Sequence, residues 1–324
     1  MEIRDEVLDE RERIGFRLRE AYHSHGFSRY RMGKFEEYDL YSRNKDFLLS
    51  DGVITFTDTN GRLMALKPDV TLSIVKNIRD RGDALEKLYY HENVYRVSDG
   101  VDGFREETQV GIECMGRIDS RTIGEVLGMA AESLGMLSDH WVLEISHLDL
   151  LSAMVDAVAL DGGMRDRMLA CAGEKNLHGI AQICREAGVR PGAEQALLDL
   201  INTYGPPRQV MPAIRKIAEE NGCGAWAREL SETVAAFAGT DAAEKIWIDF
   251  STTGDLRYYN GIAFKGFIEG IPDPVLSGGQ YDALMRRMHR KDRAIGFAVF
   301  LNRLDRLAEK AEKAEKAEKE EGNA

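Results

Sequence analysis

The pattern of apolar and polar positions predicts a helix followed by a β-hairpin near the start of the chain. Over residues 4–25 apolar side chains recur among charged ones, and Gly26 follows, as is typical of an amphipathic helix that ends at a glycine. Residues 53–57 and 63–66 form two short apolar runs. They flank Asn60-Gly61, a pair that is a strong signal for the turn of a hairpin.

Strand and helix patterns alternate through the rest of the chain. Predicted strands cover residues 87–96, 109–118, 141–145 and 245–250, and a predicted helix covers residues 123–137. Between the last two strands, from residue 147 to 237, the pattern is wholly helical. This order predicts an α+β fold whose sheet is flanked by helices, with an inserted helical subdomain at about residues 150–240.

The end of the chain has a different composition. From residue 308 to 324 it repeats Ala-Glu-Lys, and glutamates recur four residues before lysines, as in Glu309 with Lys313. Such pairs stabilise a helix by about 0.2 to 0.5 kcal/mol each. We therefore predict a charged, solvated helical tail here rather than a functional element.

Composition and charge narrow the possible functions. The chain has 324 residues, of which 44% are hydrophobic, so it can bury a full core. A formal charge of −12 disfavours a general nucleic-acid binder, because that affinity is carried by clustered lysines and arginines. No segment has the pattern of a signal peptide or the length of a membrane span, so we expect a cytoplasmic protein without a membrane partner.

The cysteine spacing argues against a metal centre or a redox pair. Cys114, Cys171, Cys184 and Cys223 lie far apart in the sequence and match no ligand motif. We expect reduced, buried thiols, no metal and no cofactor.

Polar and glycine-rich motifs predict a small-molecule pocket at the end of the sheet. The carboxyl-terminal third carries GDLRYYNG at residues 254–261, SGGQYD at 277–282, and a third motif over 296–303. Upstream, residues 66–71 read LKPDVT and residues 105–113 read REETQVGIE. Paired tyrosines on a strand would place one hydroxyl on each side, and a double glycine would let the backbone approach a ligand.

The REETQVGIE segment indicates a loop that enters a strand. Alternation along that strand places Gln109, Gly111 and Glu113 on one face. An amide and a carboxylate would then face the same space, with the glycine leaving room between them, which suits a small polar ligand.

Each of these residues also has a purely structural interpretation. Asp69 is placed to cap a helix, Thr71 lies in its first turn, and Glu113 is able to pair with an arginine. Tyr258 or Tyr259 would serve equally well as a core ring. The joint appearance of all of them favours the pocket.

The set and order of these motifs resemble the catalytic core of histidyl-tRNA synthetase, which has a class II aminoacyl-tRNA synthetase fold. Motif two spans residues 95–113, the two histidine-specific stretches match 256–261 and 278–282, and motif three matches 296–303. The resemblance covers nearly the whole chain and is weakest from about residue 151 to 241. It implies a class II synthetase-like antiparallel sheet flanked by helices, in a core over residues 1–307.

The resemblance also implies a histidine pocket. In the synthetases, the residues that match Asp69, Thr71 and Gln109 hold the α-amino group, and those that match Glu113 and Tyr259 bond the imidazole nitrogens. An imidazole needs a partner at each end if it is to be distinguished from an isostere. The full set of predicted histidine-binding residues is Asp69, Thr71, Arg96, Gln109, Glu113, Tyr258 and Tyr259.

Two arginines match the nucleotide-binding motifs of the synthetases. Arg96 matches the motif-two arginine that holds the carboxylate and the α-phosphate, and Arg303 matches the motif-three arginine that holds ATP. Either side chain would also fit an ordinary ion pair. We therefore predict Arg303 as a possible remnant of a nucleotide site.

The chain departs from the synthetase pattern in three places. Gly254 stands where the synthetases have an arginine that stabilises the transferring phosphate, and such electrostatic stabilisation typically supplies several kcal/mol. The motif-two loop after Arg96 also differs, which puts ATP binding in doubt. Because of Gly254 we expect no catalytic residues. Few residues follow Arg303, so we expect no anticodon-binding domain and no tRNA partner.

A histidine pocket without this arginine resembles the regulatory-subunit family of ATP phosphoribosyltransferase, a paralogue of the synthetases. The resemblance implies a non-catalytic subunit, a homodimer within a hetero-oligomer, that a short-form catalytic subunit needs for the first step of histidine biosynthesis. L-Histidine would be the allosteric feedback effector of that glycosyltransferase complex. Two alternatives remain: a truncated or divergent histidyl-tRNA synthetase-like enzyme that activates an amino acid, and a histidine-binding module with another partner.

Overall fold

The computed structural model describes residues 7–48, 52–78, 84–97, 103–252, 258–290 and 292–305. The predicted tail over residues 308–324 and the predicted core boundary at residue 307 lie outside these ranges. Gly254 and most of the motif-two loop lie outside them as well.

A nine-stranded sheet forms the centre of the protein. Its strands, in spatial order, are β1 (Ser28–Arg29), β5 (Glu86–Val97), β6 (Phe104–Gly116), β12 (Arg293–Phe300), β11 (Leu276–Gln280), β10 (Asn260–Ile268), β7 (Trp141–His147), β9 (Ile246–Asp249) and β8 (Tyr204–Gly205). The inner strands are antiparallel, as predicted. The pairs β1–β5 and β7–β9, towards the two edges, are parallel.

The predicted hairpin belongs to a second, three-stranded sheet. This sheet has the order β2 (Phe35–Glu37), β4 (Leu63–Leu66) and β3 (Thr55–Thr57). In the turn, the Asp58 carboxylate accepts hydrogen bonds from the backbone N–H groups of Asn60 and Arg62, both at 2.8 Å. Gly61 has φ of +77°, a conformation that favours glycine. The hairpin prediction is therefore confirmed.

Helices flank the large sheet. They are α1 (Glu10–Ser24), α2 (Tyr38–Ser42), α3 (Thr71–Asn77), α4 (Ser120–Leu137), α5 (Leu148–Asp156), α6 (Gly162–Gly173), α7 (Leu177–Glu186), α8 (Pro191–Asn202), α9 (Pro207–Glu220), α10 (Gly224–Ala235) and α11 (Asp282–Arg287), with short 3-10 turns at Lys45–Phe47, Ala243–Lys245 and Leu301–Leu304. Asp9 and Glu12 form a capping box that starts α1.

The predicted helical stretch contains α5 to α10. It is not wholly helical, because β8 lies between α8 and α9 and pairs with β9. Within the described residues, no helix is both long and apolar enough to cross a membrane.

The two faces of the sheet carry different side chains. Alternation along β6 directs Ile112 into the core that also contains Leu18 of α1 and Leu127 of α4. The neighbouring positions Gly111 and Glu113 face the other side, where a second cluster is rich in tyrosine. This second face carries the polar motifs.

The cysteines correct one expectation. Cys114, Cys184 and Cys223 are buried free thiols, whereas Cys171 is partly exposed. Burial raises the pKa of the three buried thiols, which keeps them in the neutral form.

Close packing around Gly278 generates a stability prediction. A Cβ on Gly278 would lie 2.5 Å from the Cβ of Phe297 and 2.6 Å from the Phe264 ring, whereas a Cβ on Gly128 of α4 meets nothing within 4 Å. We expect Gly278→Ala to lower the free energy of unfolding by about 1–3 kcal/mol. Gly128→Ala is the matched control and should leave it unchanged or raise it by about 1 kcal/mol. Urea unfolding of both variants tests this, and an unaffected Gly278→Ala variant would contradict it.

Candidate functional site

A pocket opens on the tyrosine-rich face of the sheet. About 410 Å³ of empty space, which includes the open mouth, lies between its walls. Strands β5, β6, β11 and β12 and the start of α3 contribute to its wall. All seven residues predicted to bind histidine line it: Asp69, Thr71, Arg96, Gln109, Glu113, Tyr258 and Tyr259.

Glu113 lies at the buried end of this site. Its carboxylate accepts a hydrogen bond of 2.6 Å from the Thr71 hydroxyl and one of 2.5 Å from the Tyr281 hydroxyl. Gly296 faces it from β12, where any Cβ would collide with the carboxylate. Burial raises the pKa of Glu113 to about 8, against the lowering effect of the two hydroxyls. Glu113 is therefore mostly protonated at neutral pH in the empty pocket.

Asp69 combines a structural position with a place in the pocket wall. Its carboxylate accepts a hydrogen bond of 2.8 Å from the backbone N–H of Leu72, in the first turn of α3. Burial raises the pKa of Asp69, and the Leu72 N–H and the Arg96 charge oppose that shift. The residue thus caps the helix and also presents an acidic group to the pocket.

Arg96 and Gln109 share a partner that the sequence analysis missed. Arg96 Nη1 lies 3.2 Å from Glu107 Oε2, and Gln109 Nε2 donates to the same oxygen at 3.3 Å. Arg96 Nε also donates to the backbone oxygen of Pro68 at 3.3 Å. Alternation along β6 places Glu107 on the face of Gln109 and Glu113, so the signal was present in the sequence.

The tyrosine pair does not straddle a strand, which corrects the prediction from alternation. Tyr258 and Tyr259 precede β10, and both line the pocket, with their rings edge to face at 4.8 Å. The bulge between Asn260 and Ala263, with Gly261 at φ +55°, breaks the regular alternation here.

Two further tyrosines in the pocket wall were not predicted. Tyr281 follows the Gly-Gly-Gln sequence directly and bonds Glu113. Tyr90 lies opposite Gly111 in the β5–β6 ladder, and a Cβ on Gly111 would lie 2.6 Å from its hydroxyl. Gly111 therefore makes room for a tyrosine rather than for a ligand. Tyrosine is a common core residue, and nothing in the sequence marked Tyr90.

Arg303 is not among the residues that line the pocket, but it contacts Phe300, which is. Its Nε lies 3.9 Å from Glu107 Oε1, and its guanidinium stacks 4.1 Å from the Phe300 ring. It also donates to the backbone oxygen of Pro274. This predicted nucleotide-site residue therefore makes an ion pair, a ring contact and a backbone hydrogen bond within the protein.

The charges around the pocket favour a ligand with a cationic group. Arg96 is paired with Glu107, and although its charge also acts on Asp69, no ion pair to Asp69 is formed within the described part of the chain. A buried carboxylate without a close counter-ion is costly and attracts positive charge. No group of side chains in the described ranges is arranged to hold a metal ion.

The raised pKa of Glu113 predicts a pH dependence of stability. In the folded empty protein Glu113 keeps its proton up to about pH 8, whereas in the unfolded chain it releases the proton above about pH 4.5. This contribution to the free energy of unfolding is complete below about pH 4.5 and is lost as the pH rises to about 8. The free energy of unfolding of Glu113→Gln, which lacks this proton, should therefore fall less across this range. Urea unfolding from pH 5 to 8.5 measures the difference.

The control for this experiment is Glu20→Gln, because Glu20 is exposed on α1. Its unfolding free energy should follow that of the wild type at each pH. Identical slopes in the wild type and Glu113→Gln would show that the buried acid does not hold this proton.

Comparison with known proteins identifies relatives over almost the full length of the chain. A family model described as Histidyl-tRNA synthetase matches residues 2–304. An ATP phosphoribosyltransferase regulatory subunit from Alkaliphilus metalliredigens is 25% identical over 293 residues, which cover 89% of this chain and 74% of the relative. The regulatory subunit from Clostridium kluyveri is 28% identical over 294 residues, which cover 87% and 74%.

Solved structures show the same fold. A chain described as an ATP phosphoribosyltransferase regulatory subunit/histidyl-tRNA synthetase from Bacillus halodurans superposes with a TM-score of 0.82 at 23% identity, covering 99% of this chain and 89% of that one. These likenesses confirm the predicted class II synthetase-like fold. Because the family model spans nearly all of the sequence, the chain belongs to the histidyl-tRNA synthetase family.

Proposed function

We propose that this chain is a regulatory subunit of ATP phosphoribosyltransferase that binds histidine in the pocket. The observation that carries the proposal is the convergence of all seven predicted residues on one pocket. The names of the regulatory subunits from Alkaliphilus metalliredigens and Clostridium kluyveri support it. The proposed role of the chain is feedback control, by bound histidine, of the first step of histidine biosynthesis.

The chemistry of the wall suits a zwitterion with an imidazole ring. Asp69 offers its carboxylate to the ammonium group, and Arg96 offers N–H groups to the ligand carboxylate. Glu113 has a pKa of about 8 and a free imidazole about 6.5, so one proton is shared between Glu113 and a ring nitrogen at neutral pH. The other ring nitrogen then donates to Tyr259. This pair of partners selects a ring with one donor and one acceptor.

Catalysis by the chain itself is disfavoured by the pairing of its arginines. Arg96 and Arg303 both have Glu107 as an ionic partner, so this single carboxylate offsets part of the positive charge that a triphosphate would require. Phosphoryl groups are stabilised by uncompensated Arg, Lys or metal charge. We therefore assign the chemistry of the complex to a separate catalytic subunit.

A partner of this kind is consistent with a solved complex. An ATP phosphoribosyl transferase complex from Thermotoga maritima contains a chain that superposes on this one with a TM-score of 0.67 at 17% identity, covering 90% of this chain and 97% of that one. We propose that this chain dimerises and joins a short-form catalytic subunit, with histidine shifting the complex between two states of different histidine affinity.

Mixing the chain with a short-form catalytic subunit tests the proposed function. The rate of phosphoribosyl transfer to ATP should rise above that of the catalytic subunit alone, because the regulatory subunit stabilises an active assembly. Light scattering should show a joint complex at micromolar concentrations. Absence of a complex and an unchanged rate would contradict the assignment. Exchange of pyrophosphate into ATP by the chain alone, with histidine present, would favour the synthetase-like enzyme instead.

Substitutions at the ring-binding end test the ligand. Glu113→Gln removes the ionisable partner of the ring, and hydrogen bonds to charged groups contribute about 1.5–3 kcal/mol, so histidine should bind roughly ten- to a hundredfold more weakly. Tyr259→Phe should weaken binding less, because a neutral hydroxyl is lost. Calorimetry measures both affinities, with Glu20→Gln as the control. Unchanged affinity in Glu113→Gln would show that the glutamate has a structural role alone.

A further inference from the structure

The carboxylate of Glu107 is buried directly behind the pocket wall. Glu107 is 6% exposed and precedes Gln109 by two positions on β6, so both side chains lie on the pocket side of the sheet. Arg96 and Gln109 line the pocket, whereas Glu107 is not among its lining residues. Any effect of Glu107 on a ligand therefore passes through these two neighbours.

One oxygen of Glu107 orients both neighbours. Glu107 Oε2 lies 3.2 Å from Arg96 Nη1 and accepts from Gln109 Nε2 at 3.3 Å. The other edge of the guanidinium is fixed by the bond from Arg96 Nε to the Pro68 oxygen. An arginine carries five N–H donors, so these contacts hold its plane and leave further donors for a ligand.

The second oxygen of Glu107 has its own cationic neighbour. Glu107 Oε1 lies 3.9 Å from Arg303 Nε, on the 3-10 turn Leu301–Leu304. A buried carboxylate is strongly disfavoured when it loses its only counter-ion. Arg303 therefore gives Glu107 a second cationic neighbour when Arg96 shares its charge with a bound anion.

We propose that Glu107 is a positioning residue that sets the preference of the pocket for ligands with a carboxylate. It orders Arg96 and Gln109 before the ligand arrives, so the ligand does not bear the cost of ordering them. The inference rests on the proposed function, in which the carboxylate of histidine meets Arg96. The ring-binding Glu113 takes its hydrogen bonds from other donors, Thr71 and Tyr281, and is independent of Glu107.

The test compares two ligands on Glu107→Gln. L-Histidine carries the carboxylate, and histidinol keeps the ring and the ammonium group but has a hydroxymethyl group in its place. Glutamine has the shape of glutamate but offers one acceptor oxygen and no charge, which leaves a buried donor of Arg96 or Gln109 poorly paired. Calorimetry should show histidine affinity falling roughly five- to fiftyfold. Histidinol affinity should fall clearly less, because histidinol keeps the ammonium group that Gln109 would meet but has no carboxylate for Arg96.

Glu106→Gln is the matched control. Glu106 directly precedes Glu107 on β6, is exposed, and accepts a hydrogen bond from the Tyr95 hydroxyl at 3.0 Å. The affinities for both ligands should be unchanged in this variant. An equal loss for both ligands in Glu107→Gln would mean that Glu107 only supports the fold, and this would overturn the proposal. Unchanged or tighter histidine binding would overturn it as well.

A double-mutant cycle tests the route through Arg96 with histidine alone. In an Arg96→Gln background, Glu107→Gln should reduce histidine affinity clearly less than it does in the wild-type background, because one of the two groups that it positions is gone. A loss as large as in the wild-type background would refute positioning of Arg96. If the wild-type chain binds neither ligand, the proposed function itself fails. That result is distinct from histidine binding that does not depend on Glu107.

Discussion

The pocket depends on the burial of carboxylates along one face of β6. Glu107 and Glu113 are both less than 10% exposed, and a buried carboxylate is tolerated when hydrogen-bond donors surround it. The donors come from other elements: Arg96 from β5, and Thr71 from the start of α3. Satisfying the acids therefore fixes β5 and α3 against β6. The pairing of these acids therefore holds the wall of the pocket together.

Glycines make this arrangement sterically possible. Gly296 lies opposite Glu113 and gives the carboxylate the space that a side chain on β12 would occupy. Gly111 does the same for the Tyr90 hydroxyl. Both glycines thus accommodate polar groups of the protein. The ligand space that remains is narrow, so recognition relies on the few polar atoms that reach it rather than on a large apolar surface.

Local patterns in the sequence predicted the hairpin, the helix α4 and the strands β5, β6 and β7, because periodicity is a property of neighbouring residues. The inner strands β10, β11 and β12 were not among the predicted strands. The same alternation placed Gln109 and Glu113 on one face. Glu107 was missed because the charged residues before Gln109 suggested a loop, whereas β6 begins at Phe104. Alternation also failed for the tyrosine pair, since the bulge at Asn260 interrupts the strand pattern.

The remaining differences arise from contacts between distant segments. The two-residue strand β8 pairs with β9. Gly205 and Pro206-Pro207 mark a break between the helices, but two residues are too few to show the alternation of a strand. The parallel pairs β1–β5 and β7–β9 are likewise set by tertiary packing. A pairing between distant segments leaves no periodic pattern in the sequence. A single sequence therefore predicts where helices and strands lie better than it predicts which strands pair at the edges of the sheet.

The charge balance of the pocket links its structure to its proposed ligand. Glu113 is mostly neutral when the site is empty, and Glu107 pairs with Arg96, so Asp69 is the acid of the wall that remains for a ligand ammonium group. In the proposed complex, a histidine zwitterion places its ammonium group at this acid and its carboxylate at Arg96. Because Glu107 and the Pro68 oxygen already hold Arg96, the ligand meets a group that does not have to be ordered on binding.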